Sequence, residues 1–361
     1  MYGQIGCFLL GLAAAATIGF SAAANPYSFP APDSAEADGP PLVIYSNTDI
    51  EAAGPIVAGF QQRFPNIAVV YHDLQSIEIY DRVLAESGEN GPTADLALSS
   101  AMDLQVKLVN DGYATQWDTA DASALPSWAV WRNTAFGVTY EPAVIVYNKP
   151  FFGDRPLPKT RADLADMLQD QASPLFGKVA TYDIERSGLG FLFLARDQEH
   201  SSAIWRLVNL MGAQNVKLYT NSAAIIERVA DGRFLIGYNI LGSYAKRMAK
   251  TRPDLGIVVP EDYTIVLSRI ALIPSDARSP ELGALFLEFL LSIEGQGILA
   301  RSAGLNAIRR DIVGPGTAAD LRVSLGTRAR PVRVGPGLLV YLDQAKRRRI
   351  LERWNAALVG R

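Results

Sequence analysis

Cysteine is nearly absent. The 361-residue chain has one, Cys7. That excludes a disulfide framework and a cysteine-based metal cluster. Histidine is almost as scarce, with only His72 and His200. A multi-histidine zinc site is excluded, and a Ser-His-Asp triad would have to use one of these two. No G-x-S-x-G, P-loop or H-E-x-x-H motif occurs. The carboxylates Asp49, Asp103, Asp183 and Glu261 could accept ligand hydroxyls, but no spacing marks any two as an acid–base pair. The formal net charge is −3, so there is no global basic excess of the kind that attracts nucleic acid. After residue 25 no apolar run is long enough to span a bilayer. Internal repeats are also lacking.

What is present reads as globular. The chain is 49% hydrophobic and 20% charged, and its 39.1 kDa is comfortable for two lobes rather than one core. Charge is distributed unevenly. From Arg309 onward there are twelve Lys/Arg against four Asp/Glu. The N-terminus, residues 1–24, carries no charged side chain, and its apolar stretch ends in Ala22-Ala23-Ala24. This fits a secretory h-region with an A-x-A cleavage site, hence a signal peptide and a periplasmic location. An uncleaved membrane anchor is the alternative. Residues 25–41, rich in Pro, Ala, Ser and Asp, are expected to be a flexible leader.

From Leu42 the pattern alternates. Leu42–Tyr45, Ile67–Tyr71 and Asp95–Leu98 read as short buried strands. Between them lie helical periodicities over Ile50–Phe64 and about Ser76–Ala85, which predicts a parallel α/β sheet. Phe136–Tyr140 and Ala143–Asn148 look like adjacent strands. A second α/β unit runs from Arg161 to about Pro260, with strands Val179–Tyr182 and Phe234–Tyr238. Tyr263–Ser268 and Ile270–Ile273 are strands again, followed by an amphipathic helix over Pro280–Leu291.

Three strand-to-helix junctions share one character. Asn47 and Thr48 follow Ser46, Ser99 and Ser100 follow the third strand, and Arg186, Ser187 and Gly188 precede a helix. Free N–H groups and the positive dipole end make a helix start favourable for an anion. Ser and Thr are also ordinary N-caps, so one junction alone says little. In open α/β sheets, ligands bind beyond the carboxyl ends of strands. Arg186 could pair bidentately with phosphate or carboxylate. Tyr238, Asn239, Ser243 and Tyr244 end a strand and enter a helix, and could hydrogen-bond a polar ligand.

Several stretches, in this order and spacing, carry a resemblance. They are Val43-Ile44-Tyr45-Ser46, Ala94-Asp95-Leu96, Val146-Tyr147-Asn148-Lys149, Val229-Ala230-Asp231-Gly232, Val259-Pro260-Glu261-Asp262 and Phe289 to Gln296. Over roughly residues 42–310 the chain resembles type II periplasmic solute-binding proteins of ABC transporters, in the branch of ferric-ion, phosphonate and sugar-phosphate binders. The resemblance implies a two-lobe α/β fold with a hinge of crossing strands and a central ligand cleft. Lobe 1 would comprise 42–146 and the return 264–361 with its helical tail, and lobe 2 residues 147–263. It also implies a non-enzymatic binder without a resident cofactor, a small anionic solute and an inner-membrane permease as partners, and a monomer. Ferric binders of this branch use two consecutive tyrosines at the lobe 2 helix entry. Here that region reads Gly242-Ser243-Tyr244-Ala245, which favours a phosphorylated sugar, a phosphonate or a similar anion over Fe(III). The tail Pro331–Arg349 resembles a subgroup associated with sensor kinases, which implies a membrane sensor as a further possible partner.

Overall fold

The computed structural model describes residues 26–33, 39–170 and 172–358. The expected signal peptide lies outside the described residues.

The first sheet is built from eight strands. They are β1 (Tyr27–Phe29), β2 (Leu42–Ser46), β3 (Val69–Asp73), β4 (Leu96–Ser99), β5 (Ala114–Thr115), β6 (Val130–Trp131), β7 (Ala135–Gly137) and β14 (Ile270–Pro274). Their order is β1-β3-β2-β4-β14-β7-β6, with β5 paired to β14. The β3-β2-β4 centre is parallel, as the alternating pattern predicts, and the flanking pairs are antiparallel. The helix Ile50–Arg63 forms because Ala53, Ile56, Val57 and Phe60 recur on one buried stripe. It stops at Phe64, ahead of Pro65. Part of the expected flexible leader is ordered: Tyr27–Phe29 pairs antiparallel with β3, because the edge of β3 offers unpaired backbone groups.

The second sheet contains β8 (Glu141–Asn148), β9 (Val179–Tyr182), β10 (Lys217–Tyr219), β11 (Ile236–Leu241), β12 (Leu255–Val258), β13 (Thr264–Leu267) and β15 (Ala329–Pro331). The order is β10-β9-β11-β8-β13-β15, with β12 paired to β8. Along β11 the register slips between Gly237 and Ile240, where Asn239 takes a φ of +59°. Asparagine tolerates that left-handed backbone better than most residues.

Two segments cross between the sheets, Gly137 to Glu141 and Leu267 to Ile270. The stretch expected to form adjacent strands, Phe136–Tyr140 and Ala143–Asn148, therefore belongs to two different sheets. The crossings run side by side. Val138 N donates to Arg269 O (2.9 Å), Thr139 N to Ser268 Oγ (3.2 Å) and Arg269 N to Thr139 Oγ1 (2.8 Å).

The tail departs from the expectation that all of 264–361 returns to lobe 1. β15 pairs with β13, and Val334 N then donates to Trp128 O (2.8 Å). The turn Pro336–Tyr341 packs on the helix Met102–Asn110 of the first lobe. The last helix, Gln344–Leu358, crosses back to pack Ile350, Trp354 and Leu358 into the second lobe's core. Its apolar face fits there because Gly212 lets the backbone of Ala357 approach; a Cβ on Gly212 would lie 1.9 Å from Ala357 O.

Candidate functional site

Between the two sheets lies a cavity of about 320 Å³, the size of a small-ligand site. The first lobe lines it with Asn47, Asp49, Asp73, Gln75, Ser76 and Ser100, and the hinge contributes Arg269. The second lobe supplies Tyr182, Leu189, Thr220, Asn221, Ser222 and Tyr244. Nearly all of these follow the carboxyl end of a strand. β2 delivers Asn47 and Asp49, β3 delivers Asp73 to Ser76, β4 delivers Ser100, β10 delivers Thr220 to Ser222, and β11 leads to Tyr244.

The lobes touch around the cavity. Tyr244 Oη accepts from Asp49 N (3.1 Å), and Arg247 Nη2 stands 3.7 Å from Asp49 Oδ2. A Cβ on Gly188 would lie 2.8 Å from Leu104 Cδ1 and 3.1 Å from Ser76 Oγ. Glycine there permits close approach of the lobes, a role different from the anion contact expected of it.

Two helices point their N-termini at the cavity from opposite lobes. One is Ser76–Glu86, entered through Gln75. The other is Ser222–Ala230, capped by Asn221, whose Oδ1 accepts from Ala224 N (2.9 Å). Their first N–H groups have no partner inside the helix.

Arg269 is the central side chain. It is 1% exposed and sits on the returning hinge segment. Nη1 donates to Thr48 Oγ1 (3.0 Å), Asn47 Oδ1 (3.2 Å) and Asn47 O (3.3 Å). Nε lies 2.9 Å from Glu141 Oε1 as a charge pair without hydrogen-bond alignment. Nη2 is buried and has no hydrogen-bond partner among the described residues. Burial works against the charge, but Glu141, Tyr244 and Asp49 more than offset it, so Arg269 stays cationic. The Tyr244 ring lies 5.3 Å from the guanidinium. Burial pushes the Tyr244 phenol up to about 12 and raises Tyr182 further, so both remain protonated near neutral pH. Asp73 is raised to about 6, first by burial and then by the charges of Asp49 and Glu51. Asp49 is also raised by burial.

Of the residues singled out from sequence, Asn47, Asp49, Ser100 and Tyr244 line the cavity. Asn47 Nδ2 donates to Ser100 Oγ (2.7 Å), and Ser100 N donates to Asn47 Oδ1 (3.1 Å), which locks two of the junctions together. Thr48 is fully buried one layer behind, holding Arg269. Ser99 is buried and accepts from Ala101 N (3.2 Å) as a local turn. Ser187 caps its helix through Gly190 N (3.2 Å) and is not among the residues that line the cavity. Arg186 is exposed and does not line it. Ser243 donates to Glu141 Oε2 and so supports the Arg269 pair from below.

Tyr238 and Asn239 belong elsewhere. Tyr238 Oη donates to Asp197 Oδ2 (2.8 Å) and accepts from Arg161 Nε (2.8 Å). Asn239 Nδ2 donates to the same Asp197 oxygen (2.7 Å). Both residues are spent on a polar knot inside the second lobe.

Sequence reading missed Asp73, Gln75, Ser76, Tyr182, the Thr220–Ser222 loop and Arg269. The strand-then-helix rule applied at 99–100 applies equally at 73–76. β10 has only three residues and leaves little pattern. Arg269 had one signal, a lone charge between two apolar strands.

The fold and this cleft define a class. The chain belongs to the bacterial extracellular solute-binding protein family, whose model matches residues 56–320. It is similar to the substrate-binding protein of an ABC transporter from Agrobacterium tumefaciens at 52% identity, over 94% of this chain and 100% of that one, with a TM-score of 0.90. The fold alone is shared with two others. AfuA from Actinobacillus pleuropneumoniae, with exogenous fructose-6-phosphate bound, is 19% identical over 88% of this chain and 98% of that one, TM-score 0.71. Iron-bound HitA from Pseudomonas aeruginosa is 18% identical over 88% and 99%, TM-score 0.68. No curated protein matches the chain. The expected two-lobe binding-protein fold therefore holds, and this is a solute-binding protein of an ABC transporter.

Proposed function

We propose that this protein captures a small organic solute bearing an anionic group, such as a sugar phosphate, a phosphonate or a carboxylate. Capture occurs in the periplasm after export through the residue 1–24 signal peptide. The two lobes close on the solute about the crossing segments, and the closed form docks on the permease. The protein binds and releases without chemical turnover.

The observation that carries this reading is Arg269, which lines the cavity and whose buried Nη2 has no hydrogen-bond partner among the described residues. A buried donor left without a partner costs about 1–3 kcal/mol, more when charged. An oxygen of an anionic group would satisfy it while the opposed helix N-termini of Ser76–Glu86 and Ser222–Ala230 receive the remaining oxygens. Fe(III) is the weaker reading. Tyr238, the second phenol it would have used, is hydrogen-bonded to Asp197 and Arg161 in the lobe core. Among the described residues no group of three His, Cys, Asp or Glu side chains is arranged to hold a metal.

A thermal-shift screen of phosphate esters, phosphonates and carboxylates tests the proposal. A saturable rise in Tm for wild type, lost in Arg269→Lys, is the expected result. A response to ferric ion alone, with a phenolate charge-transfer band, would replace it with the iron reading.

A further inference from the structure

The cavity's fixed charges do not suit a simple anion. Among the described residues three charged side chains line it: Asp49, Asp73 and Arg269. Arg269 is already paired with Glu141 at 2.9 Å. Asp49 has a loose partner, Arg247, at 3.7 Å. Asp73 has no cation within salt-bridge distance among the described residues. Counting each lining charge with its partner leaves one carboxylate in excess, and that carboxylate borders the cavity. A phosphate or carboxylate placed alone in this space would add negative charge to a site already short of positive charge. Nearby like charges inside a protein repel more strongly than in water.

The two demands are separated along the wall. Arg269 Nη2 asks for an acceptor from the hinge side. Asp49 and Asp73 ask for a donor where β2 and β3 end. The two acids are neighbours, because Ser46 and Asp73 are register partners on adjacent parallel strands and Asp49 follows three residues after Ser46. A protonated nitrogen is the donor that also corrects the charge.

We propose that the solute is zwitterionic, its anionic group seated against Arg269 and an ammonium or amidinium nitrogen held by Asp73 and Asp49. This assignment rests on the binding-protein reading given above and narrows its ligand class to aminated phosphates, phosphonates or carboxylates. The aspartates become the specificity side of the site, since an ammonium lost from the ligand leaves Asp73 without a cation in a closed cleft.

The test uses matched series sharing one anion. Isothermal titration compares O-phosphoethanolamine with ethyl phosphate and 2-hydroxyethyl phosphate, and β-alanine with propionate and 3-hydroxypropionate. In at least one series the aminated member should bind wild type about ten-fold or more tighter than both others, the scale of a hydrogen bond to a charged group. Asp73→Asn should bring the three members to within about three-fold of one another. Asp49→Asn serves as a second variant should the first fold poorly, with circular dichroism reporting the fold of each. The proposal is overturned if the unaminated anion binds as tightly as the amine, if the hydroxyl member equals it, or if both variants keep the preference. Those outcomes leave the anion-binding proposal intact. A wild type that responds to no member of either series, nor to any aminated member of the thermal-shift panel, overturns the zwitterion assignment, and the anion-binding proposal falls with it only if the whole panel is silent.

Discussion

Two buried arginines, Arg161 and Arg269, carry the lesson of this molecule. Each is nearly solvent-free, each has a carboxylate at about 3 Å, and each is packed against tyrosine rings. Arg161 sits inside one lobe. Asp197, which is fully buried, faces it at 3.0 Å and also accepts from Tyr238, Asn239 and Tyr263. Arg161 further reaches Asp262 (3.0 Å) and Tyr263 O (2.9 Å). The cavity beside that knot holds only about 20 Å³, room for no more than a water. Arg269 sits between lobes, on the segment that crosses from β13 to β14, beside about 320 Å³ of space. Among the described residues Nη2 of each arginine is buried without a hydrogen-bond partner, but only Arg269 has room beside it for a solute. The same residue type is thus structural in one place and, in the proposed function, a binding group in the other. What separates them is the space beside the arginine, about 20 Å³ in one case and about 320 Å³ in the other.

The comparison breaks most visibly at Asp197. Asp197→Ala should lower stability by about 3–5 kcal/mol in urea denaturation, because it takes the fully buried carboxylate from a buried arginine and leaves two phenol donors and the Asn239 amide without their acceptor. The affinity of the fraction that stays folded should be unchanged. Next comes Arg269→Lys. Charge is kept but the fork is lost, so solute affinity should fall about ten-fold or more by calorimetry. The Arg161 knot should be unaffected. A smaller effect is expected at Asp103, a buried acid on the helix Met102–Asn110 with no ion pair among the described residues. Burial first, only partly opposed by the N–H of Leu104, raises its carboxyl to about 7 from 3.8. The folded state therefore holds a proton that the unfolded chain has released. Asp103 contributes full stability below its ordinary range and loses that contribution as pH rises through about 7. Tm should fall between about pH 5 and about pH 8, and Asp103→Asn should flatten much of that slope. Arg186→Ala should do least. This exposed side chain lies away from the cavity, so stability should move within about 0.5 kcal/mol and binding not at all.

Much of the fold was legible because it is written locally. Apolar runs such as Leu42–Tyr45 and periodic stretches such as Ile50–Phe64 announce strand and helix without tertiary help. The order of those elements, with the resemblance, led to the two-lobe architecture. The sheet change between β7 and β8 was not legible, since two strands three residues apart look the same whether they pair or part. The tail misled for a related reason. Its last helix buries Trp354 and Leu358 in the second lobe's core and brings the backbone of Ala357 against Gly212, more than a hundred residues earlier, and no local signal reports such docking.

The site was legible by rule and obscure by partner. Asn47, Ser100 and Tyr244 were reachable because helix starts after strands point towards clefts in sheets of this kind. Tyr238 and Asn239 obeyed the same rule. The bulge at Asn239 and the reach of Asp197 from another helix withdraw both from the cleft. Arg269 could be seen as a charge in an apolar setting, but its role depends on Glu141, Asn47 and Thr48, which lie far away in sequence.

The central claim is that Arg269 holds a solute between the lobes. Native mass spectrometry of wild type and Arg269→Lys, both purified without refolding and incubated with the same panel of phosphates, phosphonates and carboxylates, tests it most directly. The account predicts one small anion-bearing molecule per wild-type chain and an empty variant of unchanged fold. Equal retention by both proteins, or iron in place of an organic solute, would contradict it.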